Sequence, residues 1–329
     1  MKEKIETKPW VLLIIFLAIG TNFAGIRWGL PSVQTNQLYF SSKEAAAKRG
    51  EEIKKYPLET ASKGMGAYLA QHPEEARRKL PRSWYNPIRS YHPDEYYVIK
   101  SISTMDPANL DFNPHQYGVG GAYLYLVALL IFLLAKLNLI LLSSDIGFYF
   151  LHPEEMAKFY LVGRTVTALY GIGIVWFVYL TAKKLWKNER AGLFAGLLTA
   201  ISPLILINTH YMYVDIPGLF WVTVALYYAV SLSTEQKKPG NKSYFLLGLF
   251  TGLAAGNKIP FVVSFVIPVL SAFLKRERAW NKIITSFAGF LFAFFVTNPY
   301  FLLAFPESLV ELRQHTGIAF SGLSYLKYL

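Results

Sequence analysis

From Tyr160 to Leu303 the chain alternates long apolar blocks with short turns rich in Lys and Arg. Three of those turns are Lys183-Lys184 with Lys187 and Arg190, Lys237-Lys238 with Lys242, and Lys275-Arg276 with Arg278 and Lys282. Blocks of this kind suit a bilayer, where backbone groups are satisfied inside helices. The reading is an all-α polytopic membrane protein. Composition agrees, because only 16% of the 329 residues are charged, against about 25% in soluble domains. The net charge of +12 does not point to nucleic acid, since the basic residues are dispersed among the turns as the positive-inside rule produces. The absence of cysteine excludes disulfides, thiol nucleophiles and thiolate metal sites.

The three basic turns belong in the cytoplasm, as does the start of a first span at about Trp10–Ile26, which follows Lys2, Lys4 and Lys8. The first 25 residues resemble a signal peptide, but the later spans favour an uncleaved anchor. For all the basic turns to share one side, the block opening at Tyr160 must enter from outside. An even number of crossings then separates it from Ile26, and the reading is zero. Val119–Leu142 is apolar enough to cross, yet it carries Lys136 and Asn138 in its interior, where a charge is costly. It is expected to lie along the outer interface, with a hairpin using Phe148–Leu151 as the alternative.

The remaining spans are about Tyr160–Ala182, Ala191–Asn208, Ile216–Leu232, Tyr244–Gly256, Phe261–Leu274 and Ile283–Leu303, seven with the first. The chain thus reads as one transmembrane module over 1–329. Residues 27–159 form a first external loop with juxtamembrane helices, 41–81 being a helical insertion. Residues 160–303 carry spans two to seven, and 304–329 an external C-terminal segment. Gly248, Gly252 and Gly256 at four-residue spacing allow close helix approach. Neither Gly256-Asn257-Lys258 nor Gly118-Val119-Gly120-Gly121 fits a nucleotide-binding fingerprint.

Within the external loop, Tyr91-His92-Pro93-Asp94-Glu95-Tyr96-Tyr97 sets two carboxylates in an aromatic context. Two readings stay open. The pair can serve as a general base or ion ligand. It can also be a helix start, with Pro at the first position and acids offsetting the helix dipole. His72-Pro73-Glu74-Glu75 and His152-Pro153-Glu154-Glu155 repeat the pattern and act as internal controls.

The topology gathers further polar residues on the same outer side: Arg164, His210, Tyr211, Asp215, Lys258 and Asn298 join His92, Asp94 and Glu95. Ionisable residues at membrane depth are functional candidates, although interface anchoring is the competing reading. A carboxylate base can take a proton from an incoming hydroxyl, and Lys or Arg can offset charge on a departing phosphate. That chemistry suits transfer of a group from a lipid phosphate to an outer-side acceptor.

In order along the chain, Asp94-Glu95, Arg164 through Gly171, Ser202-Pro203-Leu204 with Tyr211 and Asp215-Ile216-Pro217, Gly248 through Lys258, and Asn298-Pro299-Tyr300 form a series of short motifs. Together they resemble the N-terminal part of the C-type (GT-C) membrane glycosyltransferases, in the protein O-mannosyltransferase and aminoarabinose-transferase superfamily. The resemblance implies inverting sugar transfer from a polyprenyl-phosphate donor to a lipid, glycan or protein acceptor, at the outer face of a plasma membrane. It implies Asp94 as base, Glu95 and Asp215 as further catalytic acids, and Arg164 and Lys258 as phosphate contacts. His210, Tyr211, His92 and Asn298 would complete the substrate site. No cofactor is expected, though a divalent cation on Asp94, Glu95, His92 and Asp215 is the metal-using alternative. Family members usually continue past the seventh span, so the chain reads as a minimal or truncated module. A transporter, a non-catalytic lipid-binding protein and a partner-dependent subunit are the rival readings.

Overall fold

The computed structural model describes residues 8–54, 88–234, 239–275 and 279–312. Among them the chain is helical without strands, apart from a single bridge between Asp106 and Asp111. Most of the 41–81 insertion, Lys237-Lys238 with Arg276 and Arg278, and the terminal residues 313–329 lie outside the described residues. So do Lys2, Lys4 and the control pattern at 72–75.

The chain forms two compact units. The smaller comprises 27–96 and 130–162 and contains α1 (Val33–Tyr39), α2 (Lys43–Lys54) and α3 (Ile146–Leu151). Ser32 caps α1 by accepting from the Thr35 amide, and Asp145 caps α3 through the Gly147 amide. Asn36 donates to the Phe150 carbonyl at 2.8 Å. Gly50 brings α2 onto α3 so closely that an added Cβ would lie 2.9 Å from the Gly147 Cα.

The larger unit comprises 1–26, 97–129 and 163–329. Its helices are α4 (Lys8–Phe23), α5 (Glu189–Ala200), α6 (Pro203–Thr209), α7 (Asp215–Thr234), α8 (Asn241–Asn257), α9 (Val266–Leu274), α10 (Ala279–Thr297) and α11 (Tyr300–Leu303), with a last helix over 305–312. Three helices give residues to both units: α12 (Glu95–Ser103), α13 (Gly121–Lys136) and α14 (Pro153–Trp186).

Every expected span coincides with helix, but the lengths differ. Pro153–Trp186, Asp215–Thr234 and Ala279–Thr297 are long and apolar enough to cross a bilayer, and a fourth forms if α5 and α6 count as one span bent by 55°. The breaks fall at prolines. Pro203 opens α6, Pro260 sits in a 3-10 segment over Ile259–Phe265 ahead of α9, and Pro299 separates α10 from α11. Each lacks the amide that a continuing helix would use.

The stretch Val119–Leu142, expected along the outer interface, is helical only over α13. Asn138, at φ +58°, adopts the left-handed conformation that ends a helix just past Lys136. The exposed Leu137, Leu139, Leu141 and Leu142 follow outside any helix.

Small residues determine how tightly the helices of the larger unit pack. A Cβ on Gly248 would lie 1.8 Å from the Ser286 carbonyl, and one on Gly289 would lie 2.2 Å from that of Phe245. α8 and α10 therefore meet backbone to backbone, which agrees with the four-residue glycine spacing. Ala225, Ala229 and Leu232 of α7 bury against Leu247 of α8. Ile14 and Ala18 of α4 bury against Val175 and Ala200.

Candidate active site

In the smaller unit the acidic stretch is fixed from several sides. The Tyr160 hydroxyl donates to the Ile88 carbonyl at 3.2 Å. The Arg89 guanidinium lies 3.4 Å from the Tyr96 ring centroid, and Trp28 stacks on Tyr91 at 5.4 Å. Tyr91 donates its amide to the Gly29 carbonyl. Gly29 is left-handed and so close to Tyr91 that a Cβ would collide with the ring.

On this frame Asp94 and Glu95 diverge. Glu95 is the first residue of α12 and is fully buried; Asp94 precedes the helix and is half-buried. A helix does start here, though at Glu95 and not at Pro93 as the helix-start reading had it, and burial separates the two carboxylates. Only Asp94 is open to a reactant. His92, also half-buried, belongs to the same unit. At the control pattern, Pro153 begins α14 and Glu155 accepts from the Leu141 amide and from Lys158. That carboxylate is used up locally.

In the larger unit the structure joins two residues named from the sequence in an ion pair. Lys258, just past α8, donates from Nζ to Asp215 Oδ1 at 2.7 Å, and its ammonium sits 5.2 Å over the Tyr213 ring. Asp215 begins α7, where the positive end of the helix favours a carboxylate. Both side chains are partly open, at 31% and 41% exposure.

The other candidates are engaged with backbone. Arg164, only 2% exposed, donates to the Ile26 carbonyl at 2.8 Å, and its guanidinium faces the Tyr211 ring at 6.0 Å. His210 sets Nδ1 2.5 Å from the Leu206 carbonyl and Nε2 2.6 Å from that of Ala24. Asn298 accepts from the Gly121 amide and donates toward the carbonyls of Gly256 and Phe294. In this arrangement Arg164, His210 and Asn298 join chain segments.

Two features were not anticipated. The glycine run at 118–121, rejected as a nucleotide motif, exists because backbone must approach backbone: Gly120 donates to the Asn257 carbonyl at 2.9 Å. Glu311 accepts from the amides of Tyr117 and Gly118, and Glu307 accepts from Tyr117 Oη at 2.8 Å. Nothing in the local sequence marks Glu307 or Glu311 as ligands of a loop nearly 200 residues away. Among the described residues, no three His, Asp or Glu side chains are grouped to hold a metal ion.

Residues 92–309 match the family described as dolichyl-phosphate-mannose-protein mannosyltransferase. Curated relatives include the undecaprenyl phosphate-alpha-4-amino-4-deoxy-L-arabinose arabinosyl transferases of Pseudomonas aeruginosa (strain UCBPP-PA14) and Pseudomonas paraeruginosa (strain DSM 24068 / PA7). Each is 31% identical over 115 residues, which is 33% of this chain and 20% of the relative. The chain therefore matches about a fifth of the length of those relatives. No solved structure matches it. With two thirds of its length inside the match, the chain belongs to the dolichyl-phosphate-mannose-protein mannosyltransferase family of membrane glycosyltransferases.

Proposed function

We propose that the protein transfers a sugar from a polyprenyl-phosphate donor to a hydroxyl of a lipid, glycan or protein acceptor, with inversion at the anomeric carbon. The observation that supports this most is the extent of the family match, which opens at His92, two residues before Asp94, and runs through Asp215 and Lys258.

Asp94 is the base. The acceptor oxygen bonds to the anomeric carbon as its proton passes to the Asp94 carboxylate. The bond from that carbon to the phosphate oxygen breaks, and its electron pair leaves with the polyprenyl phosphate. Attack opposite the leaving group inverts the centre. Lys258 is assigned to the phosphate ahead of Arg164, because its ammonium is accessible and exchangeable while the guanidinium is committed to Ile26. Asp215 holds Lys258 in position before the donor arrives.

The reaction as written needs no metal, since a phosphate monoester leaves readily when its charge is offset by a cation. The basic turns support a cytoplasmic N-terminus and chemistry on the outer face of the plasma membrane.

The test is sugar transfer by the purified protein with a panel of polyprenyl-phosphate sugars, with and without a chelator. Asp94→Asn is expected to lower turnover by about 100-fold or more while donor binding persists and chelation has no effect. Equal turnover in the variant would reduce Asp94 to a helix start. Loss on chelation would replace the metal-free mechanism with a cation-dependent one.

A further inference from the structure

Away from the residues assigned to transfer, a cavity of about 480 Å³ is lined by the last turn of α14, the start of α5 and the end of α7. Its distance from the proposed chemistry follows from the helices themselves. Asp215 opens α7 and Thr234 closes it, so the two ends are about 29 Å apart at 1.5 Å per residue. Lys183 and Lys184 stand about as far along α14 from Arg164. That separation equals the hydrocarbon thickness of a bilayer, about 30 Å. The cavity is therefore at the headgroup level of the leaflet opposite Asp215 and Lys258.

Its lining pairs cationic and apolar groups. Lys183 is anchored by Glu189 at 2.7 Å and by Tyr179 Oη at 3.3 Å, and Tyr179 also hydrogen-bonds Glu189. This carboxylate offsets one of three lysines, leaving two positive charges. Lys184 lies 5.8 Å over the Tyr227 ring, and Lys187 projects from a left-handed turn at φ +50°. Among the described residues neither is in an ion pair. Leu180 and Tyr227 supply apolar wall, and the neighbouring Trp186 is 64% exposed, as an interfacial anchor would be.

We propose that this cavity binds the phosphate-bearing headgroup of an anionic phospholipid in the leaflet opposite the transfer chemistry, with Lys184 and Lys187 as the phosphate contacts. Fixed basic pockets between membrane helices favour such headgroups over zwitterionic ones. A free phosphate shares the charge but not the glycerol and acyl portion that Leu180 and Tyr227 would cover.

The experiment measures lipid retained by the full chain in nanodiscs of phosphatidylglycerol, of phosphatidylcholine and of their mixture, by native mass spectrometry. Wild type should retain phosphatidylglycerol selectively, and 10 mM inorganic phosphate should not displace it. Lys184→Gln with Lys187→Gln should weaken retention about 30-fold, from roughly fivefold per surface lysine. Lys282→Gln, at another basic turn, should leave it unchanged. An unaltered thermal midpoint in the double variant would confirm that the loss is one of binding. Equal retention of both lipids by wild type, or full retention in the double variant, would overturn the proposal. Displacement by inorganic phosphate without lipid preference would also overturn it, since the site would then take phosphate alone.

Discussion

Arg164 with His210, and Lys258 with Asp215, are two polar clusters of the same unit used in opposite ways. Arg164 and His210 hold the carbonyls of Ile26 and Ala24, just beyond the end of α4. Those oxygens have left the helix and need donors, and a buried guanidinium supplies one without competition from water. Lys258 and Asp215 satisfy each other while keeping about a third or more of each side chain open. A saturated, buried cation serves the scaffold; a half-open ion pair can exchange its partner for a substrate phosphate.

The comparison breaks first at Arg164. Arg164→Met should lower stability by about 3 kcal/mol, read as a fall in thermal midpoint, because it leaves a buried carbonyl without its charged donor. A variant that melts like wild type but no longer binds the donor would make Arg164 a phosphate contact and erase the distinction. Lys258→Met should do the reverse. Transfer is expected to drop about 100-fold, or about 2.7 kcal/mol in transition-state stabilisation. Stability should change by less than about 1 kcal/mol, the range for exposed ion pairs.

His210→Ala is the finer test. Loss of its two contacts should cost about 1–2 kcal/mol, and His210→Gln, which keeps one donor, should recover part of it. Recovery of transfer without recovery of stability would point to a substrate role.

The smallest effect belongs to a third clasp. Hydrogen bonds from Tyr117, and then from His115, hold the Glu307 carboxyl below its usual 4.5. Burial, and then the Glu307 contact, push the Tyr117 hydroxyl up to about 12, so it remains the donor. The folded chain thus binds fewer protons at Glu307 than the unfolded chain. The clasp is at full strength above about pH 4.5 and is lost as the pH falls through the lowered value. At 58% exposure of Glu307 the contribution is at most about 0.5 kcal/mol. Thermal midpoints from pH 6 to pH 3 should fall slightly more steeply in wild type than in Glu307→Gln.

The site was legible in sequence to different depths. Of the three copies of the motif His-Pro-acid-acid, the two among the described residues, at 92–95 and 152–155, stand at helix starts. Local sequence could not separate them. What differs lies at the second acid, where Glu95 is fully buried and Glu155 is held by Leu141 and Lys158; the first acids, Asp94 and Glu154, both stay open. The Lys258–Asp215 pair was foreshadowed only as two residues on one side of the membrane. Gly118–Gly121 showed its glycines plainly, but their reason, contact with Asn257 and Asn298, lies more than 130 residues away.

The all-α class and the approximate helix positions follow from the sequence alone, whereas the breaks that Pro203 and Pro299 put into the expected spans Ala191–Asn208 and Ile283–Leu303 came with the structure. Hydrophobicity and backbone geometry act over a few residues, and each position carries its own signal. Tertiary structure alone decided which polar side chains are spent and which remain available. The partners of Arg164 and His210 are backbone carbonyls 138 and 186 residues distant, and every residue type carries the same carbonyl. Such a partner leaves no mark in a sequence, so only folding could separate the scaffold side chains from the lysine left for chemistry.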